Sequence, residues 1–231
     1  MPLITTRSFL NCSRLYLIKT EKMKKLVGLS ILVLSVFLIS MKGEKKDMLA
    51  IGASMPDSDL KMLNIDNKEY SLNDIAGKNG ILVIFSCNTC PFVIGNGSKS
   101  EGWEGRYPAL GDLCKKMDIG MTLINSNQAK RNGDDSFEEM QKHYLNENYN
   151  CFYLVDNNSA LADEFGALTT PHVFLFDANH KLVYRGAIDD NVNHAADVKD
   201  NYLIDAINNM LNGNKISPEI TKQLGCSIKR I

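Results

Sequence analysis

The chain has 231 residues, 44% of them apolar and 23% charged, a balance that supports a buried core and excludes a disordered or low-complexity chain. Its formal net charge of −1 is unevenly placed. Residues 1–43 hold seven basic side chains (Arg7, Arg14, Lys19, Lys22, Lys24, Lys25, Lys42) and one acidic, Glu21, which leaves the remainder with 19 basic and 26 acidic groups, a net of −7. Such an acidic body excludes nucleic-acid binding, which needs a basic face to displace counterions.

Met23-Lys24-Lys25 precedes Leu26–Ser40, an uncharged and mostly apolar run. This is the pattern of a secretory leader, and the run is shorter than the roughly 20 residues a membrane helix needs. No Ala-x-Ala cleavage site follows, and Lys42, Lys45 and Lys46 make both flanks basic, so a membrane anchor through Leu26–Ser40 stays open beside an exported, periplasmic protein. The expected organisation is an N-terminal extension with leader or anchor over 1–43, a linker over 44–48, a folded domain over 49–212 and a tail over 213–231.

Leu60–Ile65 and Glu69–Leu72, joined across Asp66-Asn67-Lys68, predict a β-hairpin, and Asn73–Asn79 a turn or short helix. Ile81–Phe85 is a continuous apolar run, hence a buried strand. Gly95–Pro108 holds four glycines and the only tryptophan, Trp103, too glycine-rich for one helix; a helix follows at Ala109–Met117. Met121–Asn125 is a strand. Ser136-Phe137-Glu138-Glu139 has capping-box spacing and opens a helix to about Asn146. Phe152–Val155 is a strand, and Asn158–Phe165 a short helix ended by Gly166. Val173–Phe176 and Leu182–Tyr184 are strands around an Asp-Ala-Asn-His turn, and Asp200–Leu211 is a last helix stopped by Gly213. Alternating strands and helices predict an α/β sheet covered on both faces.

Beyond the leader run lie five cysteines: Cys87, Cys90, Cys114, Cys151 and Cys226. An odd count does not suit a disulfide-stapled scaffold. Cys87-Asn88-Thr89-Cys90-Pro91 follows the strand Ile81–Phe85 directly, and two thiols so spaced can form and exchange a disulfide. A strand leading into a helix puts the turn at a helix N-terminus, where a thiolate is favoured over a thiol. Cys87, at the turn, is expected to be the more exposed sulfur and the nucleophile, Cys90 the resolving thiol, and Pro91 to open the helix. Cys114 and Cys151 read as buried small apolar residues, and Cys226 in Gly225-Cys226-Ser227-Ile228-Lys229 as a spare, structural or third redox thiol. Thr169-Thr170-Pro171-His172 sits at a strand entrance, where an X-Pro bond can be cis.

The Cys pair followed some eighty residues later by Thr170-Pro171, a hairpin and a last helix resembles the thioredoxin superfamily. Gly52-Ala53-Ser54-Met55-Pro56, Tyr70-Ser71-Leu72, Ala162-Asp163-Glu164-Phe165-Gly166 and Leu182-Val183-Tyr184-Arg185-Gly186 resemble its AhpC/TSA–redoxin branch over about residues 49–212. The resemblance is closest to bacterial exported redoxin-family proteins with a Cys-x-x-Cys-Pro and a Gly-Cys-Ser-Ile-Lys tail. It implies a thioredoxin-like three-layer α/β/α sandwich with an N-terminal β-hairpin extension and a cis Pro171 facing the Cys pair. It also implies a Thr170 backbone open to an incoming peptide as an added strand. Beside the resemblance, His172 next to Pro171 is a candidate substrate contact, and Trp103 in the glycine-rich insertion is a candidate substrate-binding wall of the site or else the centre of a small satellite core. The implied activity is disulfide exchange with protein substrates, reductase direction preferred. A membrane electron-delivery protein is the implied reductant, and no cofactor is required.

Two rivals remain. A thiol peroxidase of the peroxiredoxin type needs Pro-x-x-x-Thr-x-x-Cys; counting back from Cys90 gives Cys87 and Val83, and from Cys87 gives Ile84 and Gly80. Neither alignment fits. A copper-binding thioredoxin-fold chaperone would use Cys87, Cys90 and His172, donors that suit a soft ion. No second close Cys/His pair completes a structural zinc site, so no metal is expected. Lys78, Glu101, Glu104 and Asp189 are candidate proton-handling neighbours of the pair.

Overall fold

A computed structural model describes residues 47–231. The leader or anchor run at Leu26–Ser40 and the rest of the 1–43 extension lie outside the described residues. Among the described residues no helix is long and apolar enough to cross a membrane.

The strands are β1 (Met62–Asn64), β2 (Glu69–Tyr70), β3 (Ile81–Ser86), β4 (Gly120–Asn125), β5 (Phe152–Val155), β6 (Thr169–Thr170), β7 (His172–Phe176), β8 (Leu182–Gly186) and β9 (Cys226–Ser227). The helices are α1 (Leu72–Ile75), α2 (Pro91–Ile94), α3 (Tyr107–Lys116), α4 (Phe137–Asn146), α5 (Ala160–Phe165) and α6 (Tyr202–Leu211). Seven strands form one sheet in the order β2-β1-β5-β4-β3-β7-β8, with β3, β4 and β5 parallel and the outer pairs antiparallel. Residue alternation sends Leu82 and Ile84 of β3 to one face, against Leu110 and Cys114 of α3, Met140 of α4 and Leu203, Ala206 and Ile207 of α6. Ile81, Val83 and Phe85 go to the other, against Leu72 and Ile75 of α1 and Leu161, Ala162 and Phe165 of α5. Every residue of β3 is buried, as a central strand covered by helices on both sides requires. The architecture is the expected thioredoxin-like three-layer sandwich with an N-terminal hairpin.

Local chemistry explains the boundaries. Asn67 turns the β1–β2 hairpin at a positive φ of 64°, and Asp66 Oδ1 accepts from the Lys68 amide at 3.0 Å, an Asx turn. Ser71 caps α1 in a reciprocal box with Asp74. Ser136 caps α4 by accepting from the Glu139 amide at 3.3 Å, the half of the expected box that satisfies the orphan amide. The Gly95–Pro108 insertion is irregular as expected, built of two 3₁₀ turns, Gly97–Lys99 and Glu104–Arg106, before α3. Gly102 adopts φ +70°, and a Cβ there would stand 2.2 Å from the Val93 carbonyl oxygen, so glycine is needed for the chain to fold back on α2.

The tail corrects the expected domain boundary at residue 212. Residues 213–231 pack back onto the domain, with Ile216 and Ile228 buried. The Ile228 amide donates to the Leu168 carbonyl at 3.0 Å, and Arg230 pairs with Asp163 at 2.7 Å. The compact unit extends to Ile231.

Phe165 lies edge-on to Phe85, Phe174 and Phe176 at ring separations of 5.3, 5.2 and 5.6 Å. Phe165→Ala therefore opens a cavity in this layer and should cost about 3–5 kcal/mol. Urea unfolding followed by circular dichroism measures this, and a loss under about 1 kcal/mol would contradict the packing.

Candidate active site

β3 delivers the chain to Cys87, and α2 begins after Cys90, which is its N-cap, with Pro91 in the first turn. The loop between is pinned from below. Asp135, fully buried, accepts from the Asn88 amide at 2.9 Å, the Asn125 side-chain amide at 2.8 Å and the Asn127 side-chain amide at 3.0 Å. The Asn88 side chain donates to the Asp134 carbonyl and accepts from the Tyr153 hydroxyl, at 2.9 and 2.8 Å. Sequence reasoning passed over Asp135: its signal was an Asp beside the Ser136 cap, indistinguishable from a surface helix start.

The pair does not sit as expected. Both sulfurs are buried, Cys87 at 2% and Cys90 at 3% exposure, so Cys87 is not an exposed nucleophile. It lies inside the loop, 3.2 Å from the Thr170 hydroxyl. Contact with Cys90, then burial, then the charge of Asp135 push its thiol well up. Cys90 is the sulfur whose thiolate is favoured. The Cys87 thiol donates toward it; burial opposes, but the side chain and backbone amide of Cys226 and the Thr170 hydroxyl add further donors and bring it down to about 5. The Cys226 amide reaches the Cys90 sulfur at 3.4 Å. In its thiol form Cys90 donates to the Thr170 carbonyl at 2.9 Å, a contact that opposes its ionisation. Donors outnumber that acceptor, so the charged form is favoured. The helix opens at Pro91 as expected, but it is Cys87 whose thiol is raised and Cys90 whose thiol is lowered, the opposite of the expected order.

The Thr170–Pro171 peptide is cis, and Thr170 touches both sulfurs. The edge beside it is already occupied. β6 pairs antiparallel with β9, Thr170 opposite Cys226, so the open backbone expected for a peptide is covered by the chain's own tail. His172 is corrected too. It pairs in register with Phe85 and lies 4.5 Å from the Phe174 ring, on the sheet face opposite the cysteines. Burial holds its imidazole neutral, down to about 3. It contacts neither substrate nor a metal shared with Cys87 and Cys90. Among the described residues, no group of three His, Cys, Asp or Glu is arranged to hold a metal ion. Trp103, 1% exposed, is no site wall either. Its indole donates to Asp189 at 2.7 Å, and Arg106 pairs with the same carboxylate at 2.7 Å, which makes it the anchor of the insertion.

The proposed proton-handling residues are engaged elsewhere. Lys78 pairs with Asp118 and Glu101 with His194. Glu104 is bound by His143 and Tyr149, and Asp189 holds Trp103. Cys114 and Cys151 are both pushed up to about 12, by burial first, and are unreactive thiols. An open polar cleft of about 490 Å³ borders the motif on its Asn88–Thr89 side, lined also by Asp134, Glu139, Lys142 and His143.

Asp135→Asn puts an amide NH₂ among amide donors. Asn127 cannot turn to accept it without giving up the Lys229 amide that its own oxygen holds at 2.8 Å. The variant should lose about 2 kcal/mol of stability, read as a lowered urea midpoint; an unchanged midpoint would contradict this support of the loop.

The Redoxin family model matches residues 50–201. No curated protein matches. Among solved structures, an uncharacterized conserved protein from Geobacillus kaustophilus is 28% identical, over 80% of this chain and 94% of its own, with a TM-score of 0.71. A hypothetical protein from Sinorhizobium meliloti 1021 is 24% identical over 80% and 97%, at 0.70. A putative protein disulfide isomerase from Bacteroides thetaiotaomicron, at 15% identity over 71% and 91% and a TM-score of 0.51, shares the fold. With that family model matching over residues 50–201, and two cysteines at the head of a helix under a cis-proline loop, the chain belongs to the Redoxin family, thioredoxin-fold proteins of oxidoreductase type.

Proposed function

We propose that this redoxin is a thiol–disulfide oxidoreductase whose redox couple is Cys87–Cys90, working in the reductase direction on protein disulfides. One observation carries the reading: Cys87 and Cys90 meet at the head of α2 under the cis-proline loop, where Thr170 touches both sulfurs, and the Cys87 donor lowers the Cys90 thiol. A thiolate and a thiol in contact are the two halves of a disulfide. In the forward direction the disulfide forms between them as two electrons pass to the substrate disulfide. The leading reverse step is attack by an external dithiol. Cys90 is the better leaving group because its thiolate is the stabilised one. The acidic body and the basic leader fit an exported protein acting in the periplasm, where disulfides persist, with a membrane electron-delivery protein restoring the dithiol.

A peroxidase would also use a thiolate at a helix start. Here Cys87 stands where that chemistry places Thr, and Val83 where it places Pro. The side chain that would orient a peroxide is replaced by a thiol that resolves a disulfide.

Dithiothreitol-driven reduction of insulin, run beside consumption of hydrogen peroxide, separates the two. Wild-type protein should turn over insulin, with Cys90→Ser lowering the rate at least 100-fold and Cys87→Ser at least 10-fold. Peroxide consumption that needs Cys90 but not Cys87, without insulin turnover, would overturn the reading.

A further inference from the structure

The redox pair has no opening to solvent of its own. Cys87 and Cys90 are at most 3% exposed, and the strand edge beside Thr170 is filled by β9. That strand is not loosely laid. Ahead of it, Thr221 donates its amide to Arg185 at 3.1 Å, and its hydroxyl accepts from Ala187 at 2.9 Å. Behind it, Ile228 is buried, and the Ala129 amide donates to the Lys229 carbonyl at 2.8 Å. Gly225 runs so close to the loop that a Cβ there would stand 2.3 Å from the Thr170 carbonyl oxygen. The tail thus sits where a substrate strand would, fixed on both sides, and at its centre it carries a cysteine. Cys226 is half-buried where the other two are enclosed, and it contacts Cys90 through both its amide and its side chain. Cys90 is the central sulfur of three, Cys87 on one side and Cys226 on the other.

We infer that Cys226 is a third redox thiol through which the buried pair exchanges disulfides with an outside protein, passing by way of an intrachain Cys90–Cys226 disulfide. The inference rests on the oxidoreductase reading above. The Cys226 thiol donates its proton to the Cys90 thiolate and attacks one sulfur of the substrate disulfide. The Cys226–substrate bond forms, the substrate S–S bond breaks, and the first substrate thiolate leaves, taking the proton back from Cys90. Cys90 then attacks the Cys226 sulfur. The Cys90–Cys226 bond forms and the second substrate thiolate leaves, protonated by solvent. Cys87 next attacks Cys90, releasing Cys226 with the Cys87 proton. Two electrons have passed to the substrate, and the oxidised pair is Cys87–Cys90. Attack by Cys90 on its neighbour is favoured by its fixed position, and Cys226, the weaker acid, is the better nucleophile per thiolate.

The test uses the full chain. Cys87→Ser, oxidised in a glutathione buffer and digested without reduction, should yield a peptide pair bridged Cys90–Cys226. Cys226→Ser should lower insulin turnover at least 10-fold, while oxidation by diamide still closes Cys87–Cys90. Gly225→Ala, which moves the strand without touching a sulfur, should lower insulin turnover as well. The inference is overturned if Cys226→Ser keeps full turnover, if no Cys90–Cys226 bridge forms, or if Cys226→Ser and Gly225→Ala both raise turnover, as they would were the tail merely a cover. Wild-type protein inactive on insulin, with no bridge at Cys90 of either kind, marks instead a failure of the oxidoreductase reading itself.

Discussion

One sulfur in a dry loop, kept charged by the donors around it, is the constraint the rest of the site serves. That sulfur is Cys90. Its charge is held by the Cys87 thiol, the Cys226 amide and thiol, and the Thr170 hydroxyl. A buried charge without such donors would be too costly to keep. The arrangement therefore depends on three separate chain segments meeting: the end of β3, the cis-proline loop and the tail. Since the folded thiol is lowered from its ordinary value of 9.0 to about 5, its stabilisation of the reduced protein is complete above the ordinary value and fades as pH falls through about 5. The lifted Cys87 acts in the opposite sense above pH 9.

The supports follow from that demand. Asp135 lies buried below the loop, where its carboxyl oxygens accept from three amide donors. After contact with Cys90 and burial, it is the next influence that raises the Cys87 thiol. The same asparagine layer reaches the tail, because Asn127 both donates to Asp135 and accepts from Lys229. The floor of the active loop and the strand that covers it are parts of one polar network. Such a network specifies position only when every member is satisfied.

Much of the fold was legible because it rests on period and punctuation. The apolar run Ile81–Phe85, the Asx turn at Asp66–Asn67, the cap at Ser136 and the stop at Gly166 each act locally, and each appears where the chain places it. The Cys pair and Pro171 were legible as motifs. Their roles were not, since they turn on the Thr170 loop and the Cys226 tail, which meet the sulfurs from 80 and 136 residues away. His172 went wrong for a related reason: in a strand, a step of one residue changes the face, and the motif Thr-Pro-His does not say which face His takes. Trp103 looked like a wall because a lone tryptophan near a site is chemically suggestive; its partner, Asp189, is 86 residues away. The tail was least visible. The pairing of β6 with β9 joins two-residue strands 57 residues apart, with no periodicity to announce them.

The measurement that bears most directly on this account is a pH titration of the reduced chain with ¹³Cβ-labelled cysteine, followed by NMR from pH 4 to pH 10 and assigned with single Cys→Ser variants. The account predicts that the Cys90 Cβ resonance moves with a midpoint near pH 5, while Cys87 and Cys226 stay protonated to above pH 9. If Cys87 titrates first and Cys90 remains a thiol at neutral pH, the assignment of the thiolate is contradicted, and the order of exchange built on it falls with it.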